Sequence, residues 1–256
     1  MNIMYLLNKD LRMILRPNTA LVPIEGIITT EVVPVQYLRG AAISSEITKN
    51  IERVAKKAHI KAIVFEINSP GGTPFAVKEV ADKIHRLDKK TVAWIREYGT
   101  SGAYWIASAC QKIVADRLST IGSIGVAMLN LNFSELMEKY GIRDESIILG
   151  KFKGIGLPFR RPSPEEKEFL EERVKKIYNH FIDEVVKNRR LQRQVLEDIS
   201  GAPLLGEEAL ERGLVDYLGN KEKALEVSRE LAGIARTKLQ ELGKPGFFPF
   251  TLLRRT

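Results

Sequence analysis

The sequence predicts an α/β protein with a mostly parallel sheet, and three observations lead there. From residue 20 onward, β-branched runs of strand length alternate with stretches of helical periodicity, the order that builds βαβ units. The run Lys61–Ile67 (K-A-I-V-F-E-I) is nearly continuous in apolar residues, as a strand buried on both faces requires. Two glycine-rich joints, Asn68–Thr73 and Gly99–Gly102, each carry a strand straight into a helix.

Taken in order, Met1–Arg16 has an apolar run of only about five residues, too short for a secretory signal. It is an irregular leader, with a short basic amphipathic helix on a membrane surface as the alternative. Ala20–Thr30 is the first strand, and Pro23 places it at an edge or strand start. Ile43–Ala58 repeats Ile43, Ile47, Ile51, Val54 and Ala58 at helical spacing. The Lys61–Ile67 strand, a helix from Thr73 to Leu87 and a strand at Thr91–Arg96 follow. Ser101–Ala109 is helical, Lys112–Ala115, Ile124–Met128 and Arg143–Leu149 are strands, and Asn132–Tyr140 is a helix stopped by Gly141.

Past Gly150 the composition shifts to a Gly/Pro-punctuated loop, Lys151–Pro162. Ser163-Pro164-Glu165-Glu166 has the form of a capping box with proline at the first helical position, launching a charged helix to about Asn188. A short helix, a helix-to-strand segment at Glu207–Leu218 and a helix over Lys221–Glu241 complete the pattern. The expected organisation is a leader at 1–19, a single domain at 20–240 with a helical extension from about 163, and an apolar tail at 241–256.

With 256 residues the chain can bury an ordinary core. Its 40 Lys+Arg against 32 Asp+Glu leave +8, spread along helices and not gathered into a basic stripe, so nucleic acid is excluded as a partner. An anionic membrane surface suits that excess better. Cys110 is the only cysteine, which rules out an intramolecular disulfide and a cysteine-rich metal site. No stretch reaches the roughly 18 apolar residues of a membrane span. Neither a metal nor a cofactor is expected.

The chemistry centres on Ser101, placed where a strand hands over to a helix and backbone N–H groups stand beside it. A serine hydroxyl needs a base. No histidine occurs between His85 and His180, and His59, His85 and His180 all lie in charged, helical surroundings, so a histidine-based triad is not expected. A lysine serves where apolar walls favour its neutral form. Lys153, flanked by Phe152, Ile155 and Leu157, is the candidate, with Lys151 and Lys112 as competitors. Ser123, in the turn Gly122-Ser123-Ile124-Gly125, is placed to orient the amine. The amides of Gly72 and Gly102 are the expected oxyanion donors. The Asn68–Thr73 loop lacks the glycine spacing of nucleotide sites.

Five blocks resemble the signal peptide peptidase A family: N-S-P-G-G at 68–72, Y-G-T-S-G-A-Y-W-I-A at 98–107, K-I-V-A…T-I-G-S-I-G-V at 112–126, F-K-G-I-G-L-P-F-R-R-P-S-P-E-E at 152–166, and G-E-E-A-L-E-R-G-L-V-D-Y-L-G at 206–219. The resemblance spans roughly residues 20–225. It implies a Ser–Lys dyad serine protease on a ClpP/crotonase-like fold of repeated β-β-α units, with the general base at Lys153. It also implies a membrane-associated homo-oligomer acting on remnant signal peptides or other membrane-derived peptides. The sequence departs from the family's pattern at Gly154, where an acidic residue is usual, and in showing no N-terminal membrane anchor, which leaves a soluble cytoplasmic protein as the alternative. Two other readings stay open: a crotonase-type acyl-CoA lyase or hydrolase, which would use paired glutamates such as Glu66 and Glu97, and a catalytically silent scaffold.

Overall fold

The structure, a computed structural model, describes residues 16–31 and 40–243. Residues 1–15 of the expected leader and 244–256 of the apolar tail lie outside the described residues. The chain divides into two compact units, the second being Gly125–Phe181 and the first the remainder.

In the first unit the order is β1 (Thr19–Glu25), β2 (Ile27–Thr29), β3 (Ala41–Ile43), α1 (Ser44–Ala55), β4 (Ala62–Ser69), α2 (Pro74–His85), β5 (Lys90–Thr100), α3 (Gly102–Ser108), β6 (Lys112–Ala115) and β7 (Thr120–Gly122). The second unit carries α4 (Ser134–Lys139) and α5 (Pro164–Arg189) as far as Phe181. The chain then adds to the first unit α6 (Arg193–Ile199), β8 (Pro203–Leu205), α7 (Gly206–Glu211), β9 (Tyr217–Leu218), α8 (Lys221–Ala232) and β10 (Leu239–Glu241).

The main sheet has the order β10-β1-β4-β5-β6-β9 with each of these pairs parallel, and β7 joins β5 in parallel and carries β8 antiparallel. Its strands are apolar on both faces, as the Lys61–Ile67 run predicts. Val22, Phe65, Ala93 and Ile113 form one row across four strands, each fully buried. The opposite parity, Leu21, Val64, Val92 and Val114, packs under Ala224 and Val227 of α8. Each such large side chain contributes about 1.5–3 kcal/mol by leaving water. β10 covers only Thr19–Leu21 of β1, so Pro23 falls where β1 is paired on one side, the edge position that its missing N–H requires.

α1 buries Ile47, Ile51 and Val54, the stripe that its spacing predicts. Pro74 opens α2 at the start of the helix, and the seven residues of α3 are all buried. The capping box at 163–166 forms as expected: the Ser163 N–H donates to Glu166 Oε2 at 2.9 Å, and the Glu166 N–H to Ser163 Oγ at 3.2 Å. Arg160 adds a two-pronged pair to the same carboxylate at 2.8 and 2.5 Å. That guanidinium and the Ser163 amide bring the Glu166 carboxyl down to about 2.

Three expected elements are replaced. The strand expected at Ile124–Met128 is instead β7, four residues earlier, and no regular structure spans 124–133. Arg143–Leu149 is also not a strand, and Ile147 and Leu149 are 95% and 89% exposed. An apolar run becomes a strand only beside another strand, and the second unit has none among its described residues. The helix expected over Lys221–Glu241 ends at Ala232, where Gly233 takes a left-handed cap, and the chain returns as β10 beside β1. Among the described residues no helix is long and apolar enough to cross a membrane.

Candidate active site

Ser101 owes its position to a change of partner along β5. Val92–Ile95 pair with β6, and Tyr98–Thr100 pair with β7. On the other side β4 follows β5 until Ile67↔Ile95 and resumes at Ser69↔Gly99, so Arg96, Glu97 and Tyr98 bulge opposite Asn68. The Asn68 side chain spans the bulge by accepting the Tyr98 N–H at 3.1 Å. Bulges re-aim strands at sites of this kind.

Directly after that re-aimed end, Ser101 has φ 52° and ψ −128°. A non-glycine residue there is strained by about 1–3 kcal/mol and persists only where its surroundings over-determine it. Its N–H donates to the Gly122 carbonyl at 2.7 Å, while its own carbonyl accepts from Tyr104 and Trp105 at the start of α3. Serine is a favoured helix N-cap, which is the plain structural explanation for a serine here. Ser101 makes no side-chain capping bond, so its hydroxyl is not used by the helix.

The loop after β4 lies against this turn. A side-chain carbon on Gly71 (φ +103°) would stand 2.8 Å from the Gly102 nitrogen and 3.0 Å from Ser101 Cβ. One on Gly72 would stand 1.8 Å from the Ile28 carbonyl oxygen, and one on Gly102 would meet Val77 at 2.4 Å and the Gly72 nitrogen at 3.3 Å. Only glycine permits this approach. Among the described residues neither the Gly72 nor the Gly102 N–H donates to a backbone or side-chain acceptor. The turn thus sets an unused hydroxyl beside two unused amides, an arrangement able to bind an oxygen that gains negative charge.

Ser123 joins this group from the end of β7. Thr100 pairs with Gly122, so Ser101 and Ser123 follow on adjacent strands, and they are two of the four non-glycine residues with positive φ among those described. Lys153 belongs to the second unit, in a run of tight turns at 151–156. It is exposed, so its own loop does not supply the desolvation expected from Phe152, Ile155 and Leu157. The competing lysines are committed elsewhere: Lys151 pairs with Glu165 at 2.8 Å, and Lys112 with Asp216 at 3.0 Å. Among the described residues Lys153 makes no ion pair.

His85 closes α2 at the end opposite Gly72, and His59 precedes the N-terminal end of β4, across the parallel sheet from Ser101. Glu66 is paired with Arg96 at 3.2 Å, and Glu97 is exposed on the bulge. Sequence reasoning missed the part played by Gly71 and the Gly26–Ile28 turn. The consecutive glycines at 71–72 were the available signal; no sequence spacing points to residues 26–28.

A parallel sheet, a helix starting on a strained serine and a glycine loop closing over its amide together place the chain in the ClpP/crotonase-like fold class. Residues 83–235 match the model of peptidase family S49, and the chain belongs to that family. A putative protease of Methanocaldococcus jannaschii is 35% identical over 196 residues, covering 75% of this chain and 63% of its own length. The putative signal peptide peptidase SppA of Enterococcus faecium is 33% identical over 180 residues (69% and 52%). The chloroplastic serine protease SPPA of Arabidopsis thaliana is 30% identical over 237 residues (90% and 35%). The resemblance to signal peptide peptidase A is thereby borne out, and the chain spans less than two thirds of the length of each of these relatives.

Proposed function

We propose that this chain is a serine endopeptidase that hydrolyses short or unfolded apolar peptides, remnant signal peptides among them, through an acyl-enzyme. Ser101 Oγ attacks the peptide carbonyl as its proton passes to Lys153 Nζ. The Gly72 and Gly102 amides hold the oxyanion. The C–N bond then breaks as Lys153 returns the proton to the leaving amine. Water, deprotonated by the same lysine, releases the acyl group and restores Ser101. Ser123 orients the lysine. The observation that carries this reading is the uncommitted Ser101 hydroxyl, held in a strained conformation beside two amides without acceptors.

Among the described residues Lys153 is the one of the three candidate lysines that makes no ion pair with a carboxylate. Its exposure leaves the dry surroundings that a neutral amine needs to the bound peptide or to a second copy of the chain. A homo-oligomer in contact with a membrane surface accords with the family and with the +8 charge. The acyl-CoA reading is weakened by Glu66, which Arg96 engages.

The test is intact mass measurement after incubation with a fluorophosphonate from about pH 6 to 10. One adduct on the wild-type chain, absent from Ser101→Ala and from Lys153→Ala, is expected. Turnover of peptide should fall by about 10⁴-fold or more in both variants while their circular dichroism is unchanged. A folded wild-type chain that takes up no probe at any pH would overturn the proposal.

A further inference from the structure

Ser69 has no part in the chemistry proposed above, yet it is completely buried directly before the Gly71–Gly72 loop. Its hydroxyl oxygen lies 2.6 Å from the Gly26 carbonyl and 3.4 Å from that of Gly71. The single hydroxyl proton therefore goes to Gly26. The same oxygen accepts the Gly71 N–H at 3.1 Å. Around this bridge the Gly26 N–H donates to Asn68 (3.1 Å), the Ile28 N–H to the Gly71 carbonyl (2.9 Å), and the Thr73 N–H to the Ile28 carbonyl (2.9 Å).

The direction of the Gly72 N–H follows from these bonds. A trans peptide is planar, with its C=O and N–H pointing opposite ways, and the chain has no cis peptides among the described residues. The Gly71 carbonyl is drawn to Ile28, so the N–H of the same peptide, that of Gly72, points away from Ile28. Gly102 lies close to this amide: a side-chain carbon on it would stand 3.3 Å from the Gly72 nitrogen. Glycine at φ +103° has many alternatives within reach, and the bonds to Ile28 and to Ser69 choose among them.

We infer that Ser69 is a positioning residue: by tying the Gly71 amide to the Gly26 carbonyl it holds the Gly71–Gly72 peptide with the Gly72 N–H facing Ser101. This rests on the reading of Gly72 as an oxyanion donor. Alanine at 69 leaves the buried Gly71 N–H and the Gly26 carbonyl without their partner, and the Gly71–Gly72 peptide is then fixed by its bond to Ile28 alone.

The test compares wild type, Ser69→Ala and Ser69→Cys as full chains. A fluorogenic apolar peptide gives kcat and KM. A peptide aldehyde, whose hemiacetal oxygen occupies the oxyanion position, is set against the corresponding peptide alcohol, which forms no bond to Ser101. Ser69→Ala is expected to lower kcat by about 10- to 100-fold, a fraction to the whole of one lost donor, with KM within about twofold. Aldehyde affinity should fall with kcat, alcohol affinity should hold, and the thiol of Ser69→Cys should restore part of the loss. Should the alanine variant fail to fold by circular dichroism, the cysteine variant carries the same comparison. Unchanged kcat, or a loss shared equally by aldehyde and alcohol, overturns the inference and leaves the peptidase reading standing. A wild-type chain that neither cleaves peptide nor labels at Ser101 sinks both.

Discussion

Around Ser101 the backbone is fixed from several directions at once. β7 receives its N–H, α3 donates to its carbonyl, β4 and β5 set the bulge before it, and the glycine loop lies so near that a side-chain carbon on Gly71 would stand 3.0 Å from its Cβ. Around Lys153 the backbone bonds are single turns: Lys153 to Gly150 at 3.1 Å, Ile155 to Phe152 at 3.2 Å and Leu157 to Gly154 at 3.3 Å. A conformation costing about 1–3 kcal/mol is tenable only in the first setting. A side chain proposed to meet a bound substrate is better served by the second, where solvent is displaced only when something binds.

Adding one methyl group in each region probes that contrast most strongly. Gly72→Ala meets the rigid Ile28 backbone at 1.8 Å and should cost about 1–3 kcal/mol in stability and about 10²-fold or more in kcat. Gly154→Ala meets Arg160 Nη2 and Ile148 Cδ1 at 2.9 Å, the far ends of two side chains and not backbone, and should shift the urea midpoint far less. Equal losses would erase the distinction between the two backbones. Ser101→Gly removes the proposed nucleophile and also the strain, so this variant should lose turnover yet be more stable than wild type by up to about 1 kcal/mol in urea titration.

Acid should act on both units. Asp216 is raised by burial but lowered more by Arg189 (2.9 Å), the Ile113 amide and Lys112, for a net depression. Glu166 is held near 2 by Arg160 and Ser163. Carboxyls depressed on folding contribute stability above their unfolded values, near 4, that is lost as pH falls through the folded ones. Urea midpoints should therefore drop below about pH 4, with a shallower fall in Asp216→Asn and in Glu166→Gln. The smallest effect is expected for Lys151→Ala, which breaks an exposed pair with Glu165 and a cation–π contact with Phe152 and should leave turnover within about twofold. A loss matching that of Lys153→Ala would move the base to residue 151.

How far the sequence reveals this molecule follows the same division. The β4 run, the α1 stripe and the 163–166 capping box carry their own local physics, and each forms where its residues place it. Ser101, Ser123, Gly72 and Gly102 were recognisable from glycine-flanked joints, and the structure brings these four together in one unit. What eluded the sequence depends on partners distant in the chain. Whether Ile147–Leu149 pairs with anything is not written in those residues, nor is the return of 239–241 to β1. The bulge at 96–98 was hidden because Arg96, Glu97 and Tyr98 read as a strand's end, and only pairing with both β4 and β7 shows the kink.

The union of β1 with β10 has a consequence for how the chain comes into being. Asn18 and Thr19 donate to the Lys238 carbonyl at 2.9 and 3.1 Å, and the Asn18 side chain accepts the Lys238 N–H at 2.9 Å. Strand β1 is made long before its outer neighbour. Throughout synthesis the open side of Thr19–Leu21 waits for a segment more than two hundred residues behind it. Contacts so far apart close slowly, and an uncovered strand edge recruits other chains. The nascent protein is therefore vulnerable to aggregation until β10 has been made, and a variant whose β10 cannot pair would keep that passing state permanently.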